Sequence, residues 1–199
     1  MFENEGGITV RQGNVQDIGD ILCLQERNHF SNLTASERTQ GFVTTRLTNA
    51  QVENLLQEKG VFVATSKEKL VGYAFAGSWQ FFSQWPIMSY MMTRLPHLIF
   101  GQCLINTENS FQYGPVCVDV EHRGSNVLKY LFDGVCVAFC ELQPIGVTFI
   151  NSVNQRSYTA HTRKLGLEVI DRFEFNDGVY YGLAFDSKMG FPRFHGHIR

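Results

Sequence analysis

Val118-Asp119-Val120-Glu121-His122-Arg123-Gly124-Ser125-Asn126-Val127-Leu128 is the stretch on which the reading of the fold turns. Before it, Gln112 to Val118 is an increasingly apolar run that predicts a strand. After it, Val127, Leu128, Leu131, Val135, Ala138 and Phe139 recur every three or four residues, the spacing of a helix that buries one face, with Pro144 beyond its end. A strand that passes through a short turn into a helix leaves the first helical amides unpaired at the positive end of the dipole, where a phosphate can sit. Arg123 adds a charged donor at the same place. The unit is common, and on its own it fits an ordinary Arg-Gly turn as well as an anion site.

Toward the N-terminus, Ile8 to Arg11 alternates as a half-buried strand, and Asn14 offers an N-cap for a helix running to about Asn28. Phe30 to Leu47 is polar and ambiguous. Thr48 to Gln51 starts a second helix with Val52, Leu55 and Leu56 on its apolar face, ended by Gly60. Val61–Thr65 and Leu70–Ala76 read as two strands of a hairpin across Ser66-Lys67-Glu68-Lys69. Trp79 to Leu95 is rich in aromatics and methionine, with a helix expected over Ile87 to Leu95. Toward the C-terminus, Val147–Ile150 predicts a buried strand. Ser157–Leu165 predicts a short helix ended by Gly166, and Leu167–Ile170 and Val179–Phe185 the last two strands, with Asn176-Asp177-Gly178 as a turn.

A second polar segment lies at Asn154-Gln155-Arg156-Ser157-Tyr158-Thr159-Ala160-His161. On a helix, positions 154, 158 and 161 project to nearly one side, so an amide, a phenol and an imidazole would share an edge. The plainer account is a cap at Asn154, a packed Tyr158 and a surface His161.

The 199 residues suit one mixed α/β domain, with a core over about 8–185, an insertion at 79–109 and a tail at 186–199. A hydrophobic fraction of 44% is enough for a packed core and argues against disorder. A net charge of -2, without a basic run, points away from nucleic acid and from membrane surfaces. No apolar run reaches the roughly 18 residues of a membrane span, and Met1 to Gly7 lacks the pattern of a secretory signal. Cys23, Cys103, Cys117, Cys136 and Cys140 fit no zinc spacing and read as buried thiols in a reducing cytoplasm. His195 and His197 in the tail could offer a metal two imidazoles, but the pattern is too slight to assign one, and no metal is expected.

Taken in this order, the two segments resemble those of the GNAT N-acetyltransferase family, and the order of elements matches over roughly Ile8 to Phe185. The family's pyrophosphate loop begins with Arg or Gln and carries two small residues. Arg123-Gly124 fits its start, while Asn126 and Leu128 stand at the small positions. Asn154, Ser157 and Leu165-Gly166-Leu167 fit the second pattern, with one extra residue before the glycine. Where the family commonly has a tyrosine, seven residues after the Asn, this chain has His161.

The resemblance implies a central mixed, mostly antiparallel sheet of six to seven strands flanked by helices, and an acyl-CoA-dependent N-acyltransferase. Acetyl-CoA would be the cosubstrate and a small-molecule or peptide amine the acceptor. It implies that the backbone of Val118, Asp119 and Val120 grips the pantetheine arm and supplies an oxyanion donor. Arg123, Gly124, Ser125, Asn126, Val127 and Leu128 would hold the pyrophosphate, and Asn154 and Ser157 the pantetheine. The acid that protonates the departing thiolate would be Tyr158 or His161, and a base would come from Asp119, Glu121 or a relayed water. Arg27 to Gly41 and Phe173 to Tyr181 would frame the acceptor. Phe81, Phe82, Trp85, Tyr90, Met91 and Met92 of the insertion would roof that pocket, or else cover the sheet or form a homodimer contact. A non-catalytic acyl-CoA-binding or regulatory module on the same fold is the alternative. An unrelated α/β phosphate-binding protein would account for the first segment and not the second.

Overall fold

The computed structural model describes residues 2–4 and 7–189, so His195 and His197 lie outside it. The chain starts with β1 (Phe2–Asn4) and β2 (Ile8–Gln12). Next come α1 (Ile18–Asn28), α2 (Ala35–Arg38) and α3 (Asn49–Gln57). A hairpin of β3 (Val61–Ser66) and β4 (Lys69–Gly77) leads into the insertion, which folds as α4 (Trp79–Phe82), α5 (Pro86–Arg94) and a small ribbon of β5 (Ile99–Phe100) and β6 (Cys103–Leu104). Then come β7 (Ser110–Val118), α6 (Val127–Phe139), β8 (Ile145–Asn151), α7 (Gln155–Thr159), β9 (Glu168–Phe175) and β10 (Gly178–Asp186). Hydrogen bonds join the strands in the order β1-β2-β3-β4-β7-β8-β10-β9. β7 and β8 are a parallel pair. The three-residue β1 brings the count to eight, one beyond the expected range.

Two compact units can be distinguished: Met1–Ala76 with Gly114–Val135, and Gly77–Tyr113 with Cys136–Arg199. In the first, side-chain caps set the helix starts. Asn14 with Asp17, Thr34 with Glu37 and Thr48 with Gln51 each form a reciprocal capping box. Two of these also fix α2 and α3, at and beyond the polar stretch that the sequence left ambiguous. The start of α6 crosses the sheet face where glycines make room. A Cβ on Gly72 would stand 3.0 Å from Val127 and 3.2 Å from Leu131, and one on Gly134 would stand 3.3 Å from Val10. Gly60 does not end α3 through left-handed geometry as expected. Lys59 takes the positive φ of 57°, and Gly60 is needed because a Cβ there would lie 1.9 Å from the Ala76 carbonyl oxygen.

In the second unit, β10 pairs with β8 over seven residues and with β9 through a tight turn at Asn176 and Asp177, both at positive φ. β9 runs five residues further than the sequence suggested. The insertion covers this part of the sheet: Trp79, Met91, Leu95, Leu98 and Ile105 are buried with Ile145, Val147 and Phe173. Arg94 closes the contact with a bidentate pair to Asp171 at 2.6 and 2.8 Å, and its guanidinium also lies over the Tyr90 and Phe173 rings. The aromatic segment therefore serves as core cover, with Phe82 and Met91 fully buried. Of the cysteines, Cys117, Cys136 and Cys140 are buried as read, but Cys23 and Cys103 are exposed. Cys23 falls on the outer face of α1. Among the described residues no helix is long and apolar enough to cross a membrane.

Candidate functional site

Each unit carries one of the two segments. In the first, β7 ends at Val118, and the Asp119 amide donates to the Val71 carbonyl at 2.9 Å. The Asp119 carboxylate then accepts from the Glu121 amide at 3.1 Å and starts a single 3-10 turn, Val120–His122. Gly124 follows at φ 88° with open space around it, so glycine is required there for backbone conformation rather than for room. Ser125 closes the turn: its hydroxyl donates to the His122 carbonyl at 2.6 Å and accepts from the Val127 amide at 3.3 Å. The Asn126 carbonyl takes the Tyr130 amide as the first α-helical bond. Gly124, Ser125 and Asn126 are exposed, whereas Val127 is buried and Leu128 half-buried. Asn126 does not take up the left-handed geometry that its residue type would tolerate; Gly124 does. The start of α6 thus exposes Gly124 to Asn126, with the Ser125 amide bonded to the His122 carbonyl and the Val127 amide to the Ser125 hydroxyl.

The Arg123 side chain points into the protein. Its Nε donates to the Val118 carbonyl at 3.0 Å, one terminal nitrogen to the Gln40 carbonyl at 2.6 Å, and the other to the Asn28 side-chain oxygen. The guanidinium ties the end of β7 to the end of α1 and to the segment after α2. Asn28 and Gln40 are 95 and 83 residues away. Nothing local in the sequence signals them.

Beside this tie lies a pocket of about 170 Å³, lined among others by Arg27, Leu33, Glu37, Asp119 and Val120. Arg27 reaches Asp119 with a single 3.2 Å contact, its own side chain being 63% exposed and that of Asp119 18%. Glu37 is held by the Thr34 amide and hydroxyl at 2.8 and 2.7 Å, which keeps its carboxyl below the usual range. Glu121, the other candidate base, is exposed.

In the second unit, Asn154 is buried and its side-chain oxygen accepts from the Ser157 amide at 3.4 Å, capping α7 as expected. The helix does not continue in α form. Ala160–Leu165 is a π-helical turn, ended by Gly166 at φ 81°. That wider turn holds the extra residue noted before the glycine. Tyr158 is half-buried with its ring 4.7 Å from that of Tyr181. His161 is not on the surface but buried, with Nδ1 2.8 Å from the Ser157 carbonyl oxygen. A carbonyl only accepts, so Nδ1 carries the proton and Nε2 the lone pair. Burial pushes the imidazole pKa below its ordinary value, against the opposing effect of the Ser157 bond.

The fold is that of the GNAT N-acetyltransferases. Among solved structures, the chain is similar to a GNAT-family acetyltransferase from Streptococcus agalactiae 2603, at 13% identity over 91% of this chain and 96% of that one, with a TM-score of 0.63. It is similar to yncA from Salmonella typhimurium, solved with its cofactor acetyl-CoA, at 16% identity over 92% and 96%, TM-score 0.59. It is also similar to the ribosomal-protein-alanine N-acetyltransferase from Brucella melitensis, at 15% identity over 89% and 99%, TM-score 0.58. No family model matches the chain, and no curated protein matches it.

Proposed function

We propose that the protein transfers an acetyl group from acetyl-CoA to a primary amine by direct attack. The observation that carries this reading is the start of α6. Gly124, Ser125 and Asn126 are exposed residues at a helix N-terminus shortly after a strand end, on a fold shared with a structure that holds acetyl-CoA. Gly124 to Leu128 would bind the pyrophosphate through main-chain amides, with the Arg123 side chain shaping the loop from behind. Successive strand amides point to opposite edges, so with the Asp119 amide engaged by Val71, the Val118 amide is the one assigned to the thioester oxygen. Val120 continues the pantetheine wall.

An alkyl ammonium with a pKa of about 10.4 must lose a proton before attack, and Asp119 is the carboxylate assigned to take it. The amine nitrogen then bonds to the acyl carbon, the carbon–sulfur bond breaks, and the thiolate is protonated. Tyr158 is assigned that donation. Neutral His161 has its one N–H committed to the Ser157 carbonyl, so its free nitrogen can accept a proton and not give one.

Calorimetric titration with acetyl-CoA tests the reading, together with release of free CoA thiol across an amine panel. Wild-type binding in the micromolar range is expected, weakened at least about tenfold in Ser125→Asp, which places a negative charge at the loop while keeping a good capping residue. Tyr158→Phe should lower turnover and leave acetyl-CoA binding in place. Binding without turnover on any amine would select the non-catalytic module, and absence of binding would remove both.

A further inference from the structure

The pocket beside Asp119 carries information about the acceptor, on the premise that the site is the acyltransferase site described above. We propose that it takes a small α-amino acid with an apolar side chain, its ammonium on Asp119 and its carboxylate on Arg27. The Arg27–Asp119 contact is a single hydrogen bond at 3.2 Å, and it uses one of the five N–H groups of the guanidinium. Among the described residues Arg27 makes no other hydrogen bond or ion pair, and its side chain is 63% exposed. Exposed one-point ion pairs contribute little to stability, so a ligand can open this one at small cost. A zwitterion placed between the two residues exchanges one ion pair for two and leaves the total charge unchanged.

The other pocket groups narrow the choice. Arg123 is turned to Val118, Gln40 and Asn28, which leaves Arg27 as the cation presented to a ligand. Glu37 is anionic and fixed by Thr34, so it disfavours a second carboxylate such as an acidic side chain would bring. Leu33 and Val120 supply apolar wall, Val120 being 59% exposed. A volume of about 170 Å³ suits one amino acid rather than an extended peptide. Asp119 directly follows the Val118 amide assigned to the thioester oxygen, so an amine held there stands next to the reacting carbon. In the reaction the ammonium loses two protons, one to Asp119 and then solvent, the other ending on the sulfur as C–N forms and C–S breaks.

The test compares L-leucine with L-leucinamide, which keeps the amine and lacks the carboxylate, and with the diamine cadaverine. Binding is measured by titration in the presence of CoA, and turnover by thiol release from acetyl-CoA. Leucine should exceed leucinamide at least about tenfold in both, and in Arg27→Gln, checked for an unchanged melting temperature, that ratio should fall toward one. Equal or stronger use of leucinamide or cadaverine overturns the proposal, as does a ratio that survives Arg27→Gln or a wild type that neither binds nor acetylates leucine. Arg27-dependent binding of leucine without turnover supports the pocket assignment and counts against acyl transfer. Acetylation of other amines, with leucine ignored, does the reverse.

Discussion

Removing the Arg123 guanidinium takes donors from three acceptors at once, one of them the side chain of buried Asn28. Leaving a buried acceptor unpaired costs about 1–3 kcal/mol, so Arg123→Ala is expected to lower stability by about 2 kcal/mol in chemical denaturation. Arg123→Lys, with one compact ammonium in place of a planar fork, should recover only part of it. At His161 the expectation concerns pH. The folded-state pKa is depressed below the ordinary 6.5, so the unfolded chain binds the proton more readily. The stability that His161 contributes is complete above about 6.5 and is lost as pH falls through the lower folded value. Melting curves from pH 8 to pH 5 should therefore drop less steeply for His161→Gln than for wild type. The residue types at both positions were legible in the sequence, but the direction each side chain takes was not. Arg123 reads as an anion ligand until Asn28 and Gln40 are brought to it, and His161 reads as an acid until its Nδ1 is found against a carbonyl.

Among the elements, those with strong local chemistry were the ones the sequence described well. Lys67-Glu68 and Asn176-Asp177 turn as hairpins because two central residues accept positive φ, and the caps at Asn14, Thr48 and Asn154 all form. β9 was cut short because Asp171 and Arg172 look like the end of a strand. The charge of Asp171 is answered by Arg94, 77 residues earlier, which no local window contains. The π turn was visible only as a spacing fault. Between β8 and β10, Gly146 lies opposite Phe185, and a Cβ there would fall 2.0 Å from the ring. Gly146→Ala should destabilise the protein by about 1–3 kcal/mol through overpacking, read as a shift in denaturation midpoint at unchanged slope.

For the whole molecule, the order of elements followed from alternating hydrophobic periods and the mixed sheet from the family resemblance, and the fold agrees with both. Function was less legible, because both segments are short and built from residue types common in turns and caps. Ligand linkage offers a test at this scale. If acetyl-CoA binds the folded chain alone, a concentration one hundred times its Kd adds about 2.7 kcal/mol. For a chain of this size that is a rise in melting temperature of about 5–10 °C, growing with the logarithm of ligand concentration. The same titration with Ser125→Asp should give a much smaller rise at equal concentrations.

The π turn at Ala160–Leu165 has a bearing on descent as well as on geometry. A single added codon in an α-helix would rotate every later side chain by about 100° and turn the following strand out of register. Taken up as a π turn, an added residue is confined to one loop of backbone, and the strand beyond Gly166 can keep its register. An insertion of this kind can be absorbed between two fixed elements, so that a helix gains length while the scaffold beyond it is inherited intact.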